Sequence, residues 1–342
     1  MPPREQPIHP KYVIAGNFTR DFIVTASHQP CLDIMGGSAP FAAAGCSLWD
    51  GPVGILARVG EDYPADWLAS LAEWRMDVHG VKILPHSLEG RRFYGYSQED
   101  TFQTNSPARF FAEMDYPLPV ALMNYNPPAV DAADDLHSRR QSSPMIGDAP
   151  PDYHDAIAAH LCQLDFISHS VLQTMLRTGQ IKTITLEVDP GYLLPEHWNS
   201  MRNVLAGLSC ASVDESAARA FFRGRTNDLR EITTGLAAFG CEHVVIHQQD
   251  GQKLLHQRST GRFWQAPAYP APRINLHSSR HAFGGGFLAG YLLTYDPARA
   301  LAYGVVSELM AGDSLRPGEL FSGLPGLAEA RLKVLFEKII PI

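Results

Sequence analysis

The chain has 342 residues, 45% hydrophobic and 19% charged, so it is long and apolar enough to bury a substantial core, and wholesale disorder is excluded. Lys and Arg number 28 against 36 Asp and Glu, a net charge of −8 with His neutral; no basic run compensates, so no nucleic-acid partner is expected. The cysteines Cys31, Cys46, Cys162, Cys210 and Cys241 form no CxxC pair and read as reduced thiols, and the N-terminus lacks the apolar stretch of a signal peptide. With no run of the ~18 apolar residues a membrane span needs, a cytoplasmic protein without membrane contact is expected. The 14 histidines are the unusual class, able to change charge near neutral pH.

In chain order, residues 11–16 form a short apolar run ending in Gly16, which predicts a buried first strand. From Ile34 to Trp49, Gly36-Gly37-Ser38 leads into an Ala-rich segment, which predicts a loop feeding a closely packed helix with Ser38 at its N-cap. Residues 53–59 read as a second buried strand, and the apolar spacing from Trp67 to Trp74 as a helix. This alternation is the pattern of a sheet covered by helices. Residues 91–96 read as an exposed strand, and the Pro-, Asp- and Ser-rich stretch 124–151 as a surface loop or insertion. Strands are then expected over Leu161–Ser168, Ile181–Val188 and His243–His247, with a helix over Glu215–Phe222. The glycine triplet Gly284-Gly285-Gly286 is unfavourable in a helix and needs a reason. Tight helix packing and backbone approach to an anion both supply one.

Taken in order, Asp21, Gly36-Gly37-Ser38-Ala39, Val59-Gly60-Glu61-Asp62, Val188-Asp189-Pro190-Gly191, Glu215-Ser216-Ala217 and Ala282-Phe283-Gly284-Gly285-Gly286-Phe287 resemble the PfkB/ribokinase family of carbohydrate and nucleoside kinases. The resemblance runs from about residue 11 to 335 and implies a ribokinase-like α/β fold. That fold is a three-layer sandwich with a mostly parallel central sheet, helices on both faces and a small β lid, here near 17–34 and 90–100. Residues 1–10 and 336–342 are expected as tails, and a homodimer through the lid would fit the family.

The resemblance also implies ATP and Mg²⁺, a catalytic Asp, a Gly-Ala-Gly anion turn before it, an Asn-x-x-Glu element and a nucleotide-pocket segment, since phosphoryl transfer is mostly positioning and charge stabilisation. In this sequence the catalytic Asp falls on His281, and the turn on Ser278-Ser279-Arg280. The Asn-x-x-Glu element falls on Ser212 to Glu215, and the nucleotide segment on His247 to Gly251. His281 could act as a base and Arg280 could reach a phosphate, with Ser278, Ser279, Glu215, His247, Gly251 and Gly284 on the nucleotide side. On the substrate side the resemblance implies Asn17, Asp21, Gly36, Gly37 and Arg92, with Phe41 where the family has Asn. The spacing of His277, His281 and His247 carries no metal motif, and no metal ligands are assigned. Three readings stay open. One is a diverged protein that keeps a sugar or nucleoside pocket but has lost or rewritten phosphotransfer. The second is an active kinase using His281, and the third a structural or interaction protein on the same scaffold.

Overall fold

The computed structural model describes residues 9–98, 101–127, 136–269 and 274–342. The N-terminal part runs β1 (Tyr12–Ala15), β2 (Thr19–Val24), β3 (Pro30–Gly36), α1 (Ser38–Ser47), β4 (Val53–Val59), α2 (Ala65–Ser70), β5 (Met76–Asp77), β6 (Val81–Ile83), β7 (Arg91–Gln98), β8 (Thr101–Gln103) and α3 (Pro107–Glu113). It continues with β9 (Ala158–Leu161), α4 (Phe166–Leu176), β10 (Thr183–Glu187), α5 (Arg202–Leu205), β11 (Cys210–Asp214), α6 (Glu215–Phe221), α7 (Leu229–Ala237) and β12 (His243–His247). The last part is β13 (Lys253–Gln257), β14 (Arg262–Ala266), α8 (Leu276–Thr294), α9 (Pro297–Gly312), α10 (Leu327–Phe336) and β15 (Ile340–Pro341).

The central sheet has the order β15-β14-β13-β12-β11-β10-β9-β1-β4-β5, with β6 also on β4. From β12 to β5 the pairs are parallel, whereas β13, β14 and β15 join antiparallel. One core packs α1, α8, α9 and α10 against one face, and a second packs α4 to α7 against the other, as the three-layer expectation requires. Residues 340–341, expected within a tail, extend the sheet edge.

The glycines shape the first layer. A Cβ on Gly285 would meet the Ala42 carbonyl at 1.8 Å, one on Gly45 the Ala282 carbonyl at 2.2 Å, and one on Gly286 the Ser307 hydroxyl at 2.2 Å. α8 therefore lies almost backbone to backbone on α1 and close to α9, and the triplet serves packing inside the helix. Gly284, placed on the nucleotide side by the resemblance, instead faces His160, whose Nε2 a Cβ would meet at 2.2 Å.

The lid is a four-stranded sheet in the order β3-β2-β7-β8. β7 is not an exposed strand: Phe93 and Tyr96 are buried on opposite faces, as the period of two dictates. One face, with Ile23, Ile34 and Tyr96, packs toward Leu276 and Leu315 of the body. The other, with Phe22, Val24 and Phe93, is roofed by Phe110 and Phe111 of α3 together with Leu122 and Tyr125. Among the described residues, the chain thus covers its own outer lid face.

Other expectations shift in detail. Ser38 is the first helical residue and not the cap; Asn17 Oδ1 accepts from its N–H (3.1 Å) and its hydroxyl (3.0 Å). The capping position is Gly37 at φ 105, a left-handed geometry in which a Cβ would strike the Asn17 carbonyl. The helix expected over Trp67–Trp74 is α2 followed by a 3-10 turn, Leu71–Trp74. The strand expected over Leu161–Ser168 ends at Leu161, and Asp165 caps α4 by accepting from the Ser168 N–H at 2.9 Å. Residues 128–135 of the 124–151 stretch fall outside the described residues. The remainder is anchored inward by buried Tyr125 and Ser143 and by the Arg58–Asp148 ion pair. Among the described residues no helix is long and apolar enough to cross a membrane.

Candidate functional site

In open α/β sheets ligands bind beyond the carboxyl ends of the parallel strands. Here those ends present Glu187 (β10), Asp214 (β11) and His247 (β12), with Asp189 just beyond β10. They are faced by the start of α8, against which the lid packs. Arg140 lies across the same end, its guanidinium 2.8 Å from Asp189 and its N–H 3.2 Å from Asp165, so part of the 124–151 stretch bears on this region.

A helix start has N–H groups with no partner inside the helix, which makes it an anion site when they are open. At α8 they are taken. The Leu276 and His277 N–H groups donate to the Tyr96 hydroxyl of lid strand β7, at 2.8 and 3.3 Å. The Ser278 N–H donates to Asn275 Oδ1 at 3.1 Å and the Ser279 N–H to the Asn275 carbonyl at 3.2 Å. From Arg280 onward the groups lie within the helical ladder. The segment aligned with the family's anion turn is therefore already helix, and Ser278 and Ser279 are buried in its first turn.

The same hydroxyl fixes a proton. Tyr96 Oη already accepts two N–H bonds, so its hydrogen points to His277 Nδ1, 2.8 Å away. That sets His277 as the Nε2–H tautomer, and Nε2 stands 3.4 Å from Asp21 Oδ2. Burial lowers the His277 pKa, although Asp21 opposes this, which keeps the ring neutral near pH 7. Tyr94 stacks on the ring at 3.5 Å and 17°. Asp21 is 1% exposed; its other oxygen accepts from the Thr19 hydroxyl at 2.6 Å, and it rests against Gly36, where a Cβ would sit 1.9 Å from it. Tyr96 and His277 thus form a hydrogen-bonded latch from lid to body, with Asp21 set against the far edge of the ring.

Deeper in, His281 Nδ1 lies 2.8 Å from Glu187 Oε2. Burial alone would push the Glu187 carboxyl up; the bond and charge of His281 outweigh it and bring it down to about 2. The Glu187 Oε1 atom has no hydrogen-bond partner. Behind the pair sit His160, which shares a 2.8 Å bond with Thr185, and His247, edge-on to Phe283. Burial lowers both rings to about 4, so they are neutral at pH 7. Among the described residues, no group of three or more His, Cys, Asp or Glu is arranged to hold a metal ion.

The remaining predicted residues are separated or engaged. Arg280 pairs with Asp214. Glu215 holds Arg219 Nε at 2.7 Å and the Gln249 N–H at 2.9 Å, so it pins the turn that ends at Gly251 instead of standing as a free surface acid. Gly251, at φ 87, makes that turn. Phe41 is wholly buried in the α1–α8 core and offers no face to a ligand. Asn17 and Arg92 line a narrow cleft together with Arg20, Arg58 and Asp62. Sequence reasoning missed Tyr94, Tyr96 and Glu187. The two tyrosines had a signal, since positions 94 and 96 share one strand face; Glu187 had none, being 94 residues from its partner.

No family model matches the chain. A cytidine kinase of Thermococcus kodakarensis is 23% identical over 281 residues, 82% of this chain and 87% of that protein. A Burkholderia thailandensis nucleoside kinase in complex with inosine superposes with a TM-score of 0.66 at 17% identity, covering 95% of this chain and 99% of that one. A Vibrio cholerae fructokinase with fructose, ADP and calcium gives 0.64 at 14% identity, covering 94% and 99%. The fold is therefore that of the ribokinase- and PfkB-type sugar and nucleoside kinases.

Proposed function

We propose that this chain is a diverged ribokinase-fold protein whose ATP phosphotransfer has been lost. The observation that carries the reading is the occupation of the α8 N-terminus by the Tyr96 hydroxyl and the Asn275 cap. A transferring phosphate needs preorganised donors, and these donors are spent inside the protein. The residues present also do not fit Mg·ATP. The arginine of the anion turn is drawn to Asp214, the surviving Glu215 is committed to Arg219 and Gln249, and the position of the catalytic Asp carries an imidazole tied to Glu187. What remains on the substrate side is Asp21 behind the latch, so a sugar- or nucleoside-type ligand would have to displace His277 to reach it.

The second reading, an ATP-dependent kinase, has one observation in its favour. His281 with Glu187 is a base with its orienting carboxylate, and in the neutral ring Nε2 would be the accepting atom. An assay with γ-labelled ATP and cytidine, inosine or fructose as acceptor separates the two. Label transfer to any acceptor, abolished by His281→Gln, would establish the kinase. No transfer above background supports the diverged reading.

A further inference from the structure

A cavity of about 350 Å³ lies between lid strand β3 and the body, and neither α8 nor the ends of β10, β11 and β12 contribute to its lining. Ile34 and Met35 of β3 form its lid wall, Trp67 and Trp74 its body wall, and the 3-10 turn Pro317–Phe321 its third side. That size is within the range of small-molecule sites, where an apolar lining and a few fixed polar groups are the rule.

Both indoles are held in place before any ligand arrives. Trp74 stacks on Phe321 at 5.9 Å and 11°, and it lies so close over Gly318 that a Cβ there would meet the ring at 2.3 Å. Trp67 stands edge-on to Tyr63 at 5.7 Å. Two rigid aromatic walls favour a flat aromatic guest. The charges at the rim are unequal in what they have left to offer. Asp33 is gripped by Arg20 through two bonds of 2.8 and 2.7 Å. Glu319 accepts the backbone N–H groups of Leu315 and Arg316 at 2.8 and 3.2 Å. The Arg316 guanidinium makes one 3.3 Å contact to Glu319, and its side chain is 55% exposed. The spare capacity is therefore a forked set of N–H donors, suited to a carboxylate or similar anion.

We propose that this cavity binds a planar aromatic anion and, by bridging β3 to the body, holds the lid closed. None of its lining residues belongs to α8, so its occupancy is measured separately from the loss of phosphotransfer. The probe is 1-naphthoate, with the neutral 1-naphthalenemethanol as control, titrated calorimetrically into the full chain. The expected result is saturable 1:1 binding of the anion. Arg316→Gln should weaken it at least tenfold while leaving the neutral compound within twofold, and Trp67→Ala should weaken both. Hydrogen exchange of residues 30–37 should slow when the anion binds. Arg316 sits on the exposed rim, so its variant keeps the test decisive even if Trp67→Ala disturbs folding. Absence of saturable heat at millimolar 1-naphthoate, binding indifferent to Arg316→Gln, or unchanged exchange in β3 would overturn the proposal.

Discussion

Replacing Tyr96 by Phe removes one oxygen and leaves the ring. Tyr96 is 2% exposed, so the packing loss is small and the effect falls on hydrogen bonding. The Leu276 and His277 N–H groups lose their acceptor, and His277 Nδ1 loses its donor. Stranding a buried polar group costs ~1–3 kcal/mol. The three groups share one site and their losses are not additive, so a loss of about 2–4 kcal/mol is expected. At an unfolding entropy of ~2.1 cal/mol/K per residue, a two-state chain of 342 residues would lose about 3–6 °C in Tm. Urea denaturation at pH 7.5 reads the free energy directly. The vacated donors also predict a gain: 50 mM phosphate should raise the Tm of Tyr96→Phe more than that of the parent, because an anion can replace the hydroxyl. A variant as stable as the parent and equally indifferent to phosphate would refute the latch and remove the main support for the proposed function.

Other outcomes follow from the same geometry. Gly285→Ala places a methyl on the Ala42 carbonyl and should cost ~3 kcal/mol or more in urea denaturation, whereas Gly147→Ala, with open space around it, should be nearly neutral. Gly36→Ala drives a methyl into Asp21, so hydrogen exchange of β2 and β3 should rise as the lid loosens; unchanged exchange would show that Asp21 can move aside freely. His160, His169 and His247 are lowered by burial to about 4, so the unfolded chain binds more protons between there and ~6.5. The stability they contribute is present above pH 6.5 and is lost as pH falls toward 4. Glu187, lowered to about 2, adds a further loss below ~4.5 that Glu187→Gln should remove; a flat profile from pH 7 to 4 would contradict the histidine assignments, and an acid limb below pH 4.5 unchanged by Glu187→Gln would contradict that of Glu187.

The fold was largely legible because its signals are local. β1, β4 and β12 are short apolar runs, and glycines mark both the entry to α1 and its contact with α8. Where the reading slipped, a competing local signal was present. Asp165 three residues before Ser168 is an N-cap pattern, and it ends the strand that hydrophobicity alone extends to Ser168. The site was less legible for a physical reason. Which position lost the family residue can be read along the chain, but what its replacement touches cannot. His281 meets Glu187 from another strand, Arg280 meets Asp214, and His277 meets Asp21 and Tyr96 across the lid interface. His277, which carries no motif in the sequence, is the centre of the latch.

The most direct measurement is calorimetric titration of the full chain with Mg·ATP at pH 7.5. The account predicts no saturable heat up to millimolar nucleotide, with or without cytidine, inosine or fructose present. Micromolar binding accompanied by ADP release on addition of an acceptor would contradict it.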